Sequence, residues 1–455
     1  MTARAAVIGA GPSGFYAADQ LLKEGIAVDL YDALPTPYGL VRAGVAPDHP
    51  KIKSVTRMYD KTARHQDFRF FGGVELGADV TPEDLLERYH AVVYAVGTPT
   101  DNAIGIPGED RPGSVAATEF VAWYNGHPSY ADAAFDLSCE RAVVIGNGNV
   151  AIDVARMLVL DPDELAGTDT ADHAIEAFAR ASVTDVVILG RRGPAQAAFT
   201  NPELRELGDL ARADVVVDAA DLELDPASAA WLESEDASPT VRRNVAMLRE
   251  FASRRPAGKS HRVALRFCRS PIEVLGDRDG PVTGLRVVRN RLEPDPRGGV
   301  RAVATGEQEV IPCGLVIRSI GYRGRPLPGV PFDERRGLIR NEGGRVCEED
   351  GTPRVGEYAV GWIKRGPSGV IGTNKKDAAD TVARLLEDAS TGMLNTPADP
   401  DPAGTEAWLR DRVPRLVDWN GWRAIDEHES RAGEGQGRPR VKLVSLEDMH
   451  RIGRG

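Results

Sequence analysis

The sequence predicts an α/β chain in which two strand–glycine loop–helix–strand units each found a domain, the second domain being inserted into the first. Three observations carry this. Apolar runs beginning at Arg4 and Arg141 each end in a glycine-rich turn, Gly9-Ala10-Gly11-Pro12-Ser13-Gly14 and Gly146-Asn147-Gly148-Asn149-Val150-Ala151. Each turn opens a stretch with helical periodicity, which is the context that gives the G-x-G-x-x-G/A pattern its meaning. Two Pro/Gly-rich junctions, at residues 106–113 and 321–329, each come after a short apolar strand pattern and read as linkers.

Taken in order, the first unit runs from the strand pattern at Arg4 through a helix to about Lys23, then Gly25, then a strand ending at Asp32. A further strand at 91–96 leads into the first junction. The second unit begins near Arg141, has a helix to about Leu160, an acidic insertion at 161–176, and a strand at 185–189 that ends in Gly190-Arg191-Arg192-Gly193-Pro194. The strand at 315–320 leads to the second junction. The expected domains are therefore 1–107 with 326–455, and 108–325 inserted between them. Apolar spacing at Val382, Leu385 and Leu386 predicts a helix starting near Thr373. The tail from about Thr396 is rich in Pro and Asp but carries Trp408, Trp419 and Trp422, three of the six tryptophans, which predicts a packed cap.

Composition bounds the function. A chain of 455 residues has room for two or three domains with large cores. No run of about 18 apolar residues is present, so no membrane helix is expected. The net charge of −12 argues against nucleic acid and against an anionic membrane surface. Cys139, Cys268, Cys313 and Cys347 are far apart, with no C-x-x-C pair, so a disulfide framework, a zinc or cluster site and a redox dithiol are not expected. The start of the chain has no signal-type segment, which points to a cytoplasmic protein.

In each glycine loop the first glycine permits the turn, the second lets backbone approach a diphosphate, and the third lets helix pack on strand. Gly9, Gly11 and Gly14 take these places in the first loop; Gly146, Gly148 and Ala151 take them in the second. The residues at the end of the next strand separate the ligands. Asp32, 18 residues after Gly14, suits a ribose 2′-hydroxyl, as in FAD or NAD. Arg191 and Arg192 suit a 2′-phosphate, hence NADP over NAD. The simplest pairing is FAD on the first loop and NADP(H) on the second.

Longer motifs then become recognisable. Leu34-Pro35-Thr36-Pro37-Tyr38-Gly39-Leu40-Val41-Arg42, Gly44-Val45-Ala46-Pro47-Asp48-His49-Pro50-Lys51, the second glycine loop, the Arg191-Arg192 turn and Gly361-Trp362-Ile363-Lys364-Arg365-Gly366-Pro367-Ser368-Gly369-Val370-Ile371-Gly372-Thr373-Asn374-Lys375 resemble the adrenodoxin reductase family over nearly the whole chain. The nearest likeness is to its actinobacterial ferredoxin–NADP⁺ reductase branch. The resemblance implies a two-domain glutathione-reductase-like flavoprotein fold with two Rossmann-type domains, the NADP domain inserted in the FAD domain. It implies hydride transfer from NADPH to noncovalent FAD, then single electrons to a ferredoxin-type iron–sulfur protein. Carried over by position, Ser13, Asp32, Leu40, Leu76, Trp362, Gly369, Val370 and Ile371 would contact FAD. Asn147, Gly148, Asn149, Val150, Arg191, Arg192, Glu203 and Gly369 would contact NADP(H). His49 and Glu203 would lie near the nicotinamide as catalytic candidates. Where the family often has a basic residue before the Ile-Pro-Gly-Glu linker, this chain has Asn102.

Such chemistry needs positioning more than acid–base groups, because the cofactors carry the reaction. Relatives that reduce disulfides hold a cysteine pair against the flavin; this chain has none, so electrons are expected to leave straight to an outside acceptor. Two other readings stay open: an electron-input subunit of a larger complex, like the small subunit of glutamate synthase, and an NADPH-dependent flavin monooxygenase.

Charge is distributed unevenly. Residues 206–236 hold ten acidic groups and one basic, whereas 241–266 hold eight basic and one acidic. Val241, Val245, Leu248 and Ala252 form the expected buried stripe of a helix here, with Arg242 and Arg249 facing outward. The family docks acidic ferredoxins in this region, and Arg205, Arg242, Arg243 and Arg249 are the candidates. The partner is expected to bind transiently and electrostatically, to a monomer or weak dimer; no metal is expected.

Overall fold

The computed structural model describes residues 3–296 and 298–454. The chain forms two compact units. The first comprises residues 3–100, Asn125–Ala131 and 321–454; the second comprises Asp101–Tyr124 and Asp132–Ile320. The exchanges at 100/101 and 320/321 lie a few residues before the expected 107/108 and 325/326. Segment Asn125–Ala131 belongs to the first unit, where Lys442 Nζ donates to the buried Asn125 Oδ1 at 3.2 Å.

The first unit is built on a seven-stranded sheet. Its order is Asn341–Glu342, Arg345–Cys347, Pro353–Ala359, Ala91–Tyr94, Arg4–Ile8, Ala27–Asp32 and Phe68–Gly72. The last five are parallel; the first two pair antiparallel. Both faces are covered, which is why these strands read as continuous apolar runs rather than alternating ones. Ala5, Val7, Val28, Leu30, Phe68, Phe70 and Val93 point to one face, where helices Pro12–Lys23 and Thr373–Ser390 pack. Ala6, Ile8, Tyr31, Phe71, Val92 and Tyr94 point to the other.

The tail is a packed cap, as its tryptophans suggest. Helices Pro402–Arg412, Trp419–Glu434 and Leu446–Gly453 begin at the capping side chains of Asp401, Asp418 and Ser445. Trp422, Ile425 and Met449 are fully buried in the first-face core.

The second unit holds a six-stranded parallel sheet in the order Ser114–Ala116, Leu315–Arg318, Arg141–Ile145, Asp185–Leu189, His261–Arg266 and Ala213–Val217. Beside it, Arg269–Leu275, Gly284–Pro294 and Val300–Pro312 form a three-stranded antiparallel sheet.

Two expectations need correction. The stretch at 106–113 is no loose linker: Glu109 is buried, accepts the N–H groups of Ile104 and Gly105 at 2.6 Å, and pairs with Arg318 at 3.3 Å. Gly108, at φ +77°, lies so close to the Val274 carbonyl that a Cβ would clash at 2.1 Å. In the helix Pro239–Ser253 the fully buried side chains are Asn244, Val245, Leu248 and Phe251, while Val241 and Ala252 are half-buried. The face is turned because Phe251 offers far more apolar surface than Ala252.

Candidate functional site

In the first unit the glycine loop leaves the central strand at Ile8. Gly9 has φ +108°, and a Cβ there would meet the Ala95 carbonyl at 2.6 Å. A Cβ on Gly14 would strike the Gly9 carbonyl at 1.9 Å, so this residue sets how closely helix Pro12–Lys23 approaches the strand. Gly11 differs: its Cβ position meets only Gly39 Cα, at 3.9 Å. Removing a side chain there serves an approach from outside the protein rather than packing within it. The helix has no side-chain cap, unlike the three tail helices. Its first N–H groups therefore remain for a ligand, and they favour an anion.

Asp32 ends the next strand. Its Oδ2 accepts the Ala10 N–H at 2.8 Å and its Oδ1 accepts the Leu34 N–H at 2.9 Å, so the carboxylate ties the glycine loop to the 34–40 loop. Burial pushes its pKa up to about 6, against the lowering effect of those two N–H groups. Each carboxylate oxygen keeps acceptor capacity for a further donor such as a ribose hydroxyl. The 34–40 loop then crosses the glycine loop: Tyr38, at φ 85°, donates its N–H to the Ala10 carbonyl at 2.8 Å. Leu40 emerges from it 39% exposed. Leu76 is buried in the second-face core, so its side chain is committed to packing.

The motif at 361–375 returns to the same unit. Gly361, at φ +76°, donates its N–H to Asp377 Oδ2 at 2.5 Å, and a Cβ there would meet Ser13 Oγ at 2.0 Å. Trp362 packs on Tyr322 at 5.3 Å between ring centroids, and its indole N–H is buried without an acceptor. Gly369 has φ +80°, Val370 is 56% exposed, and Ile371 packs partly on the core. Helix Thr373–Ser390 starts there, again without a side-chain cap. Open backbone at Gly11, two uncapped helix starts, exposed Leu40 and Val370 and an unanswered indole N–H fit an elongated ligand with a diphosphate and a flat, partly apolar ring.

The second unit repeats the first loop's geometry. Gly146 has φ +134°, and a Cβ would strike the Ser319 carbonyl at 2.0 Å; around Gly148 nothing lies within 4 Å. Ala151 is fully buried under the loop. Helix Asn149–Val159 has no side-chain cap. Asn147 accepts the Ala198 N–H on its carbonyl at 2.9 Å, and Asn149 Oδ1 accepts the Thr200 N–H at 2.8 Å. Val150 is half-buried at the helix start. Glu203 accepts the Thr200 hydroxyl on helix Asn201–Gly208.

Arg191 is exposed and Arg192 half-buried. Among the described residues neither forms an ion pair, although most arginines of this chain do. Burial first, and then the charge of Arg191, pull the Arg192 pKa below the usual guanidinium value. Two adjacent guanidiniums without carboxylate partners are the electrostatic complement of a doubly charged phosphate.

His49 lies in the first unit, buried, where its carbonyl accepts the N–H groups of Ile52 and Lys53 at the start of the short helix Pro50–Lys53. Glu203 lies in the second. All four docking candidates, Arg205, Arg242, Arg243 and Arg249, are exposed. Arg242 also donates from Nε to the Leu232 carbonyl at 2.9 Å and to the Ser234 carbonyl. It thereby satisfies the C-terminal end of helix Pro226–Glu233 while staying at the surface.

Sequence reasoning missed two supports. Glu429 in the tail grips Arg42, two residues after Leu40. Asn290 and Cys268 hold the backbone of the Arg191-Arg192 turn. Neither has a local motif; a polar Asn on the buried side of a strand pattern is the nearest signal. No helix among the described residues is long and apolar enough to cross a membrane.

Residues 3–182 match the family model described as pyridine nucleotide-disulphide oxidoreductase. The chain is 51% identical over 464 residues, 99% of each chain, to NADPH-ferredoxin reductase FprA of Mycobacterium tuberculosis. It is 44% identical to the mitochondrial NADPH:adrenodoxin oxidoreductase of Salvelinus fontinalis, over 98% of this chain and 90% of that one. The solved structure of M. tuberculosis FprA in complex with NADPH matches with a TM-score of 0.93 at 50% identity, covering 100% of both chains. By full-length similarity the chain belongs to the adrenodoxin reductase family and has its two-domain, glutathione-reductase-like fold of Rossmann type.

Proposed function

We propose that the chain is an NADPH–ferredoxin reductase, a flavoprotein of electron transport that uses FAD and NADP(H). The observation that carries this reading is the contrast between its two loops. One is braced by a carboxylate, Asp32, and the other ends in an arginine pair without ion-pair partners. Full-length likeness to NADPH-ferredoxin reductase FprA supports it.

The first unit would hold FAD. Gly9, Gly11, Ser13 and Gly14 with the start of helix Pro12–Lys23 would receive the diphosphate, and Asp32 a ribose. Leu40, Trp362, Val370 and Ile371 would border the ring, with Leu76 contributing backbone. Gly369 would give the nicotinamide close approach. Bound FAD supplies hydride acceptance and release of electrons one at a time. The start of helix Thr373–Ser390 favours negative charge nearby. The second unit would hold NADP(H): Gly146, Asn147, Gly148, Asn149 and Val150 at the diphosphate, Arg191 and Arg192 at the 2′-phosphate. His49 and Glu203 would position the nicotinamide or relay a proton.

With FAD held there, two electrons would enter as one hydride and leave singly, so that one NADPH would serve two one-electron acceptors. The partner would be a ferredoxin-type iron–sulfur protein, met transiently at Arg205, Arg242, Arg243 and Arg249. Local positive charge recruits an acidic partner despite the net −12, and the association weakens with salt. The reductase would act as a cytoplasmic monomer or weak dimer.

The test is cytochrome c reduction by NADPH through added ferredoxin. Reversing Arg205, Arg243 and Arg249 to Glu should raise the ferredoxin KM at least tenfold and flatten its salt dependence, with NADPH–ferricyanide turnover unchanged. Absence of ferredoxin-dependent reduction in the unaltered protein would sink the proposal.

A further inference from the structure

Beneath the arginine pair, three consecutive carbonyls are taken up by one neighbouring segment of the same unit. The Gly190 carbonyl accepts the Arg269 N–H at 3.0 Å and the Arg192 carbonyl accepts the Cys268 N–H at 3.1 Å. Between them, the Arg191 carbonyl accepts Asn290 Nδ2 at 2.8 Å. Asn290 is itself fixed on every side. It is 6% exposed, its Nδ2 also donates to Ser270 Oγ at 2.8 Å, and its N–H donates to the Cys268 carbonyl at 2.8 Å. It stands where the register of the strand pair Gly284–Pro294 and Val300–Pro312 shifts, between Val288 and Asn290. Such an irregularity re-aims a side chain. Cys268, the partner in this bracket, has φ 54°, a conformation L-residues adopt only when the surroundings impose it.

The consequence is electrostatic. A carbonyl oxygen facing a phosphate dianion repels it, and the peptide units of this turn carry the two guanidiniums meant to attract it. The three carbonyls are engaged by donors of residues 268, 269 and 290, while the Arg191 side chain is exposed and the Arg192 side chain half-buried. Of the three ties, two come from backbone N–H groups that any residue would supply. Only the middle one depends on a side chain, since Asn290 provides a neutral donor that neither Asp nor an aliphatic residue can replace.

We infer that Asn290 is a positioning residue for 2′-phosphate recognition: it holds the Arg191 peptide so that Arg191 and Arg192 discriminate NADP(H) from NAD(H). This rests on the proposed role of the arginine pair, and the experiment separates the two. The probes are 2′,5′-ADP and 5′-AMP, titrated calorimetrically against the FAD-loaded protein; they differ by the 2′-phosphate alone.

Asn290→Ala should weaken 2′,5′-ADP about tenfold, equivalent to about 1.4 kcal/mol, while 5′-AMP changes less than twofold. Asn290→Asp, which turns a donor into an anionic acceptor facing a carbonyl, should lose more. In turnover the KM for NADPH should rise by the same factor, with kcat and the KM for NADH within twofold. Equal weakening of both probes by Asn290→Ala would mark a merely structural residue and overturn the inference. So would an unchanged ratio, provided Arg192→Ala collapses it. If Arg191→Ala and Arg192→Ala leave the ratio intact, the reading of the arginine pair fails, and the inference falls with it.

Discussion

Replacing Glu429 with Gln tests how the tail controls the flavin side of the first unit. The Glu429 side chain is fully buried, and both its oxygens are used. Oε1 accepts Arg42 Nη2 at 2.5 Å and the Leu443 N–H at 2.8 Å; Oε2 accepts Arg42 Nη1 at 2.9 Å and Arg440 Nη1 at 3.2 Å. Arg42 also lies over the Trp422 ring at 5.6 Å, and its carbonyl accepts Lys442 Nζ at 3.1 Å. The 40–43 turn that carries Leu40 is thus bolted to the cap. Burial by itself would raise the Glu429 pKa, but Arg42, Arg440 and the Leu443 N–H outweigh it and hold the carboxyl below the usual glutamate value.

Removing one partner of a buried ion pair costs about 3–5 kcal/mol, because the other charges stay buried and uncompensated. Gln keeps some neutral hydrogen bonds, so the lower end, about 3 kcal/mol, is expected. For a unit of this size that is a fall of about 6–12 °C in the unfolding midpoint, accompanied by release of FAD fluorescence. The folded-state pKa is depressed, so the stabilisation is complete above the ordinary glutamate value and fades as pH falls through the folded one. The difference between Glu429 and Gln should therefore be constant from pH 8 to about 5 and shrink below about pH 4. In a cycle with Arg42→Met the two changes should be non-additive by at least about 2 kcal/mol. A shift under about 2 °C, or additive effects, would refute the argument.

The site geometry sets the outcome of four further substitutions. Gly148→Ala should fold normally and keep FAD, since nothing surrounds its Cβ position, yet lose NADPH binding at least tenfold in titration; Gly14→Ala, whose Cβ strikes the Gly9 carbonyl, should fail to hold FAD. Asp32→Asn should make the FAD-free protein more heat-stable at pH 7–8 than the parent. The raised Asp32 pKa means that the parent loses stability as pH rises through about 6, so the two thermal midpoints should converge near pH 4. His49→Gln should change kcat or nicotinamide affinity several-fold with FAD retained; stopped-flow flavin reduction and turnover both at parental values would remove His49 from the mechanism.

Much of this protein is legible in order along the chain because its defining features are local. A strand, a turn that only glycine can make, and a helix start are specified within about fifteen residues. Gly9, Gly14 and Gly146 are therefore recognisable before any packing is known. The residues at the end of the next strand, Asp32 or Arg191-Arg192, are fixed by the same short geometry. The tail tryptophans announce a packed cap because that much aromatic surface is not left in water.

The tertiary structure decided everything that joins distant segments. Asp32 is a brace between two loops as well as a candidate ribose acceptor, since its partners are backbone N–H groups with no side-chain identity to read. Arg242 is drawn to the carbonyls of the preceding helix, an attraction invisible in a list of charges. The buried face of helix Pro239–Ser253 turns toward Phe251 because side-chain volume, not periodicity alone, sets which residues are covered. Arg42 and Glu429 are 387 residues apart, and Arg191 and Asn290 are 99 apart. The sequence by itself determined which ligands the two loops are chemically suited to. Only the folded chain brought together the groups that hold those loops in shape, because charge pairing and carbonyl satisfaction depend on distance in space and leave no mark on spacing in sequence.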